Sequence, residues 1–142
     1  MGPGARVGVL ALQGDFAPHR AAFARLGHDA AEVRAPRDLD GLTHLVLPGG
    51  ESTTLRRLMG LFGLDAAVVE RHRAGERGLF GTCAGAILLG RAPDARDALE
   101  HQPERPPRLR LLDATVERNA YGRQIDSFER AGRIDALGRT VR

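Results

Sequence analysis

The sequence predicts a doubly wound α/β domain, a parallel sheet with helices on both faces. Three observations carry this. Short apolar runs rich in Val and Leu alternate with longer amphipathic segments, the pattern of strand and crossover-helix units. The clearest runs are apolar at consecutive positions rather than at every second one, as strands buried on both faces are. Turn residues, above all glycine, stand between the runs and the segments that follow them.

Taken in order, RVGVLAL at residues 6 to 12 is the first strand, and it ends at the turn QGD. FAPHRAAFARLG then puts Phe16, Phe23 and Leu26 on one helical face, with Gly27 as the C-terminal cap. DAAEVR is a second, weaker strand. THLVLP, residues 43 to 48, is a third, stopped by Pro48 and followed by GGEST. In the next helix Leu55, Leu58, Met59 and Phe62 fall at i, i+3, i+4 and i+7; Ser52 or Thr53 caps its start and Gly63 closes it. DAAVVERHRAG reads as a further helix with Asp65 as N-cap and Gly75 as stop. RGLFG is a short strand leading into Cys83, and AGAILLG is the helix behind it. Residues 91 to 108 hold four of the eight prolines and many charges, and read as a loop rather than a linker between domains. Beyond it LRLLDATVERN and QIDSFE read as strands, separated by the turn AYGR with Gly122.

A length of 142 residues suits one domain, residues 1 to 142, with enough chain to bury a core. Hydrophobic residues at 42% and charged residues at 27% exclude a disordered or fibrous chain. The net charge is +3, but the arginines are mixed with acids along the chain and aromatics make up only 4%. That is a solvated surface, not a nucleic-acid interface. One Cys excludes a disulfide framework. The opening MGPGARVGVLALQGD lacks the pattern of a signal peptide, and no apolar run is long enough to span a membrane. The expectation is a soluble, cytoplasmic protein with neither a membrane nor a nucleic acid as partner.

In a doubly wound sheet, ligands bind beyond the carboxyl ends of the strands. LQGD, PGGEST and GTCAG each follow a predicted strand, so the fold gathers all three at one rim. In the third loop, Gly81 and Gly85 let a strand turn sharply into a helix. Cys83 is then held at a strained, exposed corner at a helix N-terminus, a place that favours the thiolate a nucleophile needs. The Ala84 N–H points to where an oxyanion would form. Small residues around a Cys also occur wherever a helix packs closely on a strand, so by itself this motif is equally consistent with a structural role. In PGGEST, two glycines can turn backbone N–H groups outward as an anion-binding nest; the plainer reading is a strand-to-helix turn with a good cap. Gln13 and Gly14 in LQGD form a turn in which Gln13 can satisfy backbone groups.

LALQGD, LPGGEST, FGTCAGAILL and LLDATVERNAYGRQIDSFE, in this order and spacing, resemble the glutaminase subunits of pyridoxal 5'-phosphate synthase, a family of class I, triad-type glutamine amidotransferases. The resemblance runs from about residue 6 to the end, and RNAYGRQIDSFE separates it from other amidotransferases. It implies a flavodoxin-like, three-layer α/β fold that hydrolyses L-glutamine to glutamate and ammonia through a cysteinyl thioester. The ammonia would pass to a ring-forming (β/α)8-barrel synthase subunit that builds vitamin B6. No cofactor and no metal are implied. Cys83 matches the nucleophile; Gly50, Glu51 and Ser52 match the glutamine-binding loop; Gly50 N–H and Ala84 N–H match the oxyanion donors. Arg118 matches a substrate-contacting arginine, although a lone Arg on a strand also reads as a surface ion pair with Glu117 or Glu129. Gln13 and Gly14 match a turn that rearranges when the partner docks.

The resemblance also implies a base for the thiol, a His oriented by a Glu in a His-Pro-Glu motif, preceded by an IRAP-like strand. These 142 residues contain neither. None of His19, His28, His44, His72 and His101 is followed by Pro-Glu; His19, His28 and His72 read as solvated helix positions, and His44 begins a strand away from its carboxyl end. The 142-residue form is therefore expected to turn over glutamine poorly. Three readings remain: a glutaminase whose C-terminal part is missing from these residues; a non-catalytic domain that binds glutamine or a partner; and a Cys-based peptidase or chaperone of the PfpI/DJ-1 type, which PGGEST and RNAYGRQIDSFE fit least.

Overall fold

Four strands pair side by side, all parallel, in the computed structural model, which describes residues 4–75, 78–92, 108–120, 122, 128–134 and 138–141. They are β1 (Val7–Leu10), β2 (Ala30–Val33), β3 (His44–Leu47) and β4 (Gly78–Gly81), in the order β2-β1-β3-β4. Register is set by pairs such as Leu10 with Val33, Val9 with Val46, and Leu47 with Gly81. Helix α1 (Phe16–Arg25) connects β1 to β2, α2 (Ser52–Leu61) and α3 (Leu64–Arg73) connect β3 to β4, and α4 (Ala84–Leu89) follows β4.

Successive strand residues point to opposite faces, so the consecutive apolar runs feed two cores. Val7, Val9, Ala30 and Val46 are buried on one face beneath Phe16 and Phe23 of α1. Leu10, Val33, Leu45 and Leu47 are buried on the other, against Leu55 and Met59 of α2, Leu64 and Val68 of α3, and Leu88 of α4. This is the doubly wound, flavodoxin-like arrangement. Among the described residues no helix is long and apolar enough to cross a membrane.

Several local expectations are corrected. Leu26 does not join Phe16 and Phe23: α1 ends at Arg25, and Leu26 is its C-cap and is 71% exposed. Gly27, at φ +79°, then reverses the chain. Phe62 likewise is the C-cap of α2 rather than a member of its buried stripe. Only Phe62 and Gly63 separate α2 from α3, and Gly63, at φ +70°, is the N-cap of α3 in place of Asp65. Asp65 sits inside the first turn, where its carboxylate accepts the Ala66 N–H.

The expected strand LRLLDATVERN, residues 109 to 119, is not a strand. Arg110 at φ +54° breaks any alternation, and the N–H groups of Leu109, Leu111 and Leu112 donate instead to the carbonyls of Leu88 and Leu89. The segment thus satisfies the carbonyls that the end of α4 leaves unpaired, and its one ladder contact among the described residues is a parallel bridge of Thr115 with Arg91. Arg108 is buried, and its guanidinium donates to the carbonyls of Arg91 and Val116. Gly122 N–H donates to Asn119 O, while Tyr121 and Arg123 of the expected turn AYGR lie outside the described residues. Most of the proline-rich loop, and QIDS of the expected strand QIDSFE, lie outside the described residues. A short antiparallel hairpin, β5 (Gly132–Ile134) with β6 (Arg139–Val141), is an element the sequence analysis did not predict.

Candidate active site

The loops after β1, β3 and β4 meet at one end of the sheet through main-chain contacts. Asp15 N–H donates to Gly49 O at 3.0 Å, joining the first loop to the second. Thr82 N–H donates to Leu47 O and Gly85 N–H to Pro48 O, each at 3.1 Å, joining the third loop to β3. Glu51 N–H donates to the Gln13 side-chain oxygen at 3.1 Å. Gly14 has φ +93°, and a Cβ there would lie 1.9 Å from Gly49 O, so only glycine fits between these loops.

Cys83 stands at the corner between β4 and α4 with φ +47° and ψ −110°, a strained combination for a residue with a side chain, and its thiol is exposed. The flanking glycines are there for close approach. A Cβ on Gly81 would come 2.6 Å from the Gly85 carbonyl carbon, and one on Gly85 would come 2.0 Å from Leu47 O. Helix α4 therefore leaves the elbow pressed against β3. A Cβ on Gly49 would touch both Cys83 Cβ and Asp15 Oδ2 at 3.3 Å, so thiol, glycine loop and first turn converge on one small space. The N–H groups of Gly50 and Ala84 have no acceptor among the described residues.

In the PGGEST loop, the cap of α2 is Glu51 rather than Ser52 or Thr53. Its carboxylate accepts Thr53 N–H at 3.0 Å and Thr54 N–H at 2.7 Å. Burial works to raise the Glu51 carboxyl, but the two N–H donors, Thr54 first, outweigh it and hold the group down at about 2. Ser52 turns inward: it is buried, and its hydroxyl has no partner among the described residues. Arg118 reaches this loop from the far end of the chain, with Nη2 3.5 Å from Glu51 Oε1 and Nη1 3.4 Å from Thr53 Oγ1. The structure thus brings together Gln13, Gly14, Gly50, Glu51, Ser52, Cys83, Ala84 and Arg118.

One residue at this rim was misread from the sequence. His19 is not a solvated helix position: its ring nitrogen Nε2 and the Thr82 hydroxyl share a hydrogen bond of 2.9 Å. The signal was present, because His19 lies at i+3 from Phe16 and i−4 from Phe23, on the stripe that α1 turns toward the sheet. His44 does begin β3, away from its carboxyl end, and its ring meets the Thr43 hydroxyl.

A model of the SNO glutamine amidotransferase family matches residues 9–142. The chain belongs to this family. It is 54% identical over 132 residues to a protein of Thermus thermophilus named pyridoxal 5'-phosphate synthase subunit PdxT, covering 93% of this chain and 65% of that one. It is 53% identical over 124 residues to the protein of the same name from Deinococcus radiodurans, covering 86% of this chain and 60% of that one. The chain thus spans less than two thirds of these relatives. A crystal structure of a glutamine amidotransferase superposes with a TM-score of 0.76 at 49% identity, over 88% of this chain and 62% of that one. A putative peptidase E from Listeria monocytogenes superposes at 0.60 with 17% identity, a likeness of fold alone. Within the SNO family match lie all the loops that meet at the rim, from LQGD to Arg118.

Proposed function

We propose that this protein hydrolyses L-glutamine to L-glutamate and ammonia, with Cys83 as nucleophile, and delivers the ammonia to a barrel-type pyridoxal 5'-phosphate synthase subunit. The observation that carries the reading is the strained, exposed Cys83 beside two backbone N–H groups, of Gly50 and Ala84, with no acceptor among the described residues. In the proposed reaction the Cys83 thiolate adds to the side-chain amide carbon of glutamine, and the oxygen gathers negative charge between those two N–H groups. The C–N bond then breaks, and the departing nitrogen takes up a proton and leaves as ammonia. Water next attacks the γ-glutamyl thioester, releasing glutamate and restoring the thiol. Arg118 offers the guanidinium for the α-carboxylate of the substrate. Gln13, bonded to Glu51 N–H beside Gly50, is the piece that the docked partner would rearrange. The proton traffic needs an acid-base group, which family resemblance assigns to a His-Pro-Glu motif not contained in residues 1 to 142.

The glutamine analogue diazo-oxo-norleucine tests the nucleophile. With the chain extended through a His-Pro-Glu region and the synthase subunit present, intact mass should rise by one adduct, and Cys83→Ser should remove it. Equal labelling of the mutant would take Cys83 out of the mechanism. Residues 1 to 142 alone should release glutamate roughly 10²- to 10⁴-fold more slowly than the extended chain. Comparable rates would mean that a residue of this chain serves as base.

A further inference from the structure

We propose that His19 is a positioning residue for the nucleophile elbow, acting through Thr82; the inference deepens the reading of Cys83 as nucleophile and rests on it. Backbone strain of the kind seen at Cys83 persists only where the surroundings over-determine it. Most of what determines the elbow is main chain: Thr82 N–H to Leu47 O, Gly85 N–H to Thr82 O at 2.8 Å, and Ile87 N–H to Cys83 O at 3.1 Å. These bonds hold the elbow to β3 and α4, on the side of the sheet away from α1. The link between His19 and Thr82 is of another kind. It spans 63 residues of sequence and joins α1, which packs on β1 and β2, to the residue just before Cys83 at the end of β4. Among the described residues neither side chain has a second partner.

Strand β3 lies between β1 and β4, so this side-chain contact bridges across it to the elbow. Fixing Oγ1 selects one rotamer of a β-branched side chain, and so steadies the backbone on the N-terminal side of Cys83. Helix α1 is also the helix that starts at the Gln13–Gly14 turn, with Asp15 as its N-cap. His19 therefore ties the elbow to the element that carries the turn beside the proposed oxyanion site.

The test uses the thiol itself. Because Cys83 is the only cysteine, its rate of alkylation by iodoacetamide can be read from intact mass without glutamine turnover. His19→Ala and Thr82→Val are each expected to slow alkylation at neutral pH about three- to tenfold, the scale of one lost hydrogen bond. The double variant should be no slower than the slower single variant. His19→Gln and Thr82→Ser, which keep a polar atom within reach, should restore the rate to within about twofold of the parent chain. If His19→Ala does not fold, the pair Thr82→Val and Thr82→Ser decides. Unchanged rates in Thr82→Val, multiplying losses in the double variant, or no rescue by the conservative changes would overturn the proposal. Failure of diazo-oxo-norleucine labelling with this alkylation pattern intact would sink the glutaminase reading instead.

Discussion

The two faces of the sheet are covered very differently. On one, α2, α3 and α4 close over Leu10, Val33, Leu45 and Leu47, and the core extends through buried residues of those helices and the segments beside them, among them Leu39, Leu55, Met59, Val68 and Leu88. On the other, among the described residues, α1 alone lies over Val7, Val9, Ala30 and Val46, and even its Phe16 and Phe23 are only partly buried. The site sits where these faces meet. Cys83 is braced from the crowded side by backbone packed on backbone, while the Gln13–Gly14 turn and His19 arrive from the thin side.

If the crowded side is the scaffold, the sharpest way to break it is a single methyl. Gly85→Ala would push a Cβ to within 2.0 Å of Leu47 O and lift α4 off β3, at a cost of about 3 kcal/mol or more. A cooperatively folding variant with a parent-like denaturation midpoint would show that α4 is free to shift. Next in size, Leu55→Ala in the crowded core should cost about 2–5 kcal/mol in urea unfolding. Phe23→Ala on the sheet-facing side of α1 should cost roughly half as much, since less of the side chain leaves water on folding. Equal costs would erase the contrast between the faces.

At the rim the effects should be smaller and chemical rather than structural. Arg118→Ala in the extended, partner-bound protein should raise the KM for glutamine about tenfold with little change in thermal midpoint, the loss of one charge-assisted contact. An unchanged KM would take Arg118 out of substrate binding. The smallest effect concerns acid stability. The Glu51 carboxyl is held at about 2 against an ordinary value of 4.5, so its contribution is fully present above about 4.5 and is lost as pH falls toward about 2. Glu51→Gln should therefore flatten the decline of stability in that window and leave it unchanged in shape near neutrality. A parallel decline in both proteins would show that the cap carries no linkage.

What was legible in the sequence was what one residue type can dictate alone. Consecutive apolar positions marked β1 and β3 as buried strands, and the glycines around Cys83 marked the elbow, because only a missing side chain permits such close approach. What was not legible depended on partners distant in the chain or on where a helix stops. Leu26 and Phe62 fit the apolar periodicity, yet the helices end one residue before each of them. The alternation of Leu109 and Leu111 imitated a strand, while their N–H groups were claimed by the end of α4. His19 was readable from its helical stripe but not its target, since nothing local points to Thr82. Glu51 was read as a substrate-loop residue, and its role as the cap of α2 emerged only from its two bonds.

The contact of Gly14 with Gly49 bears on how this protein can vary over generations. Where loops are joined by side chains, substitution is the hazard and length is negotiable. Here Asp15 N–H and Gly49 O meet directly, and Gly14 lies against the same carbonyl. A one-residue insertion between Leu12 and Phe16, or between Leu47 and Ser52, would move an amide past its acceptor and shift the thiol's surroundings together. The spacing from strand to helix in these two loops should thus be the most strictly inherited quantity in the molecule, held even where residues between other than Gly14 are exchanged.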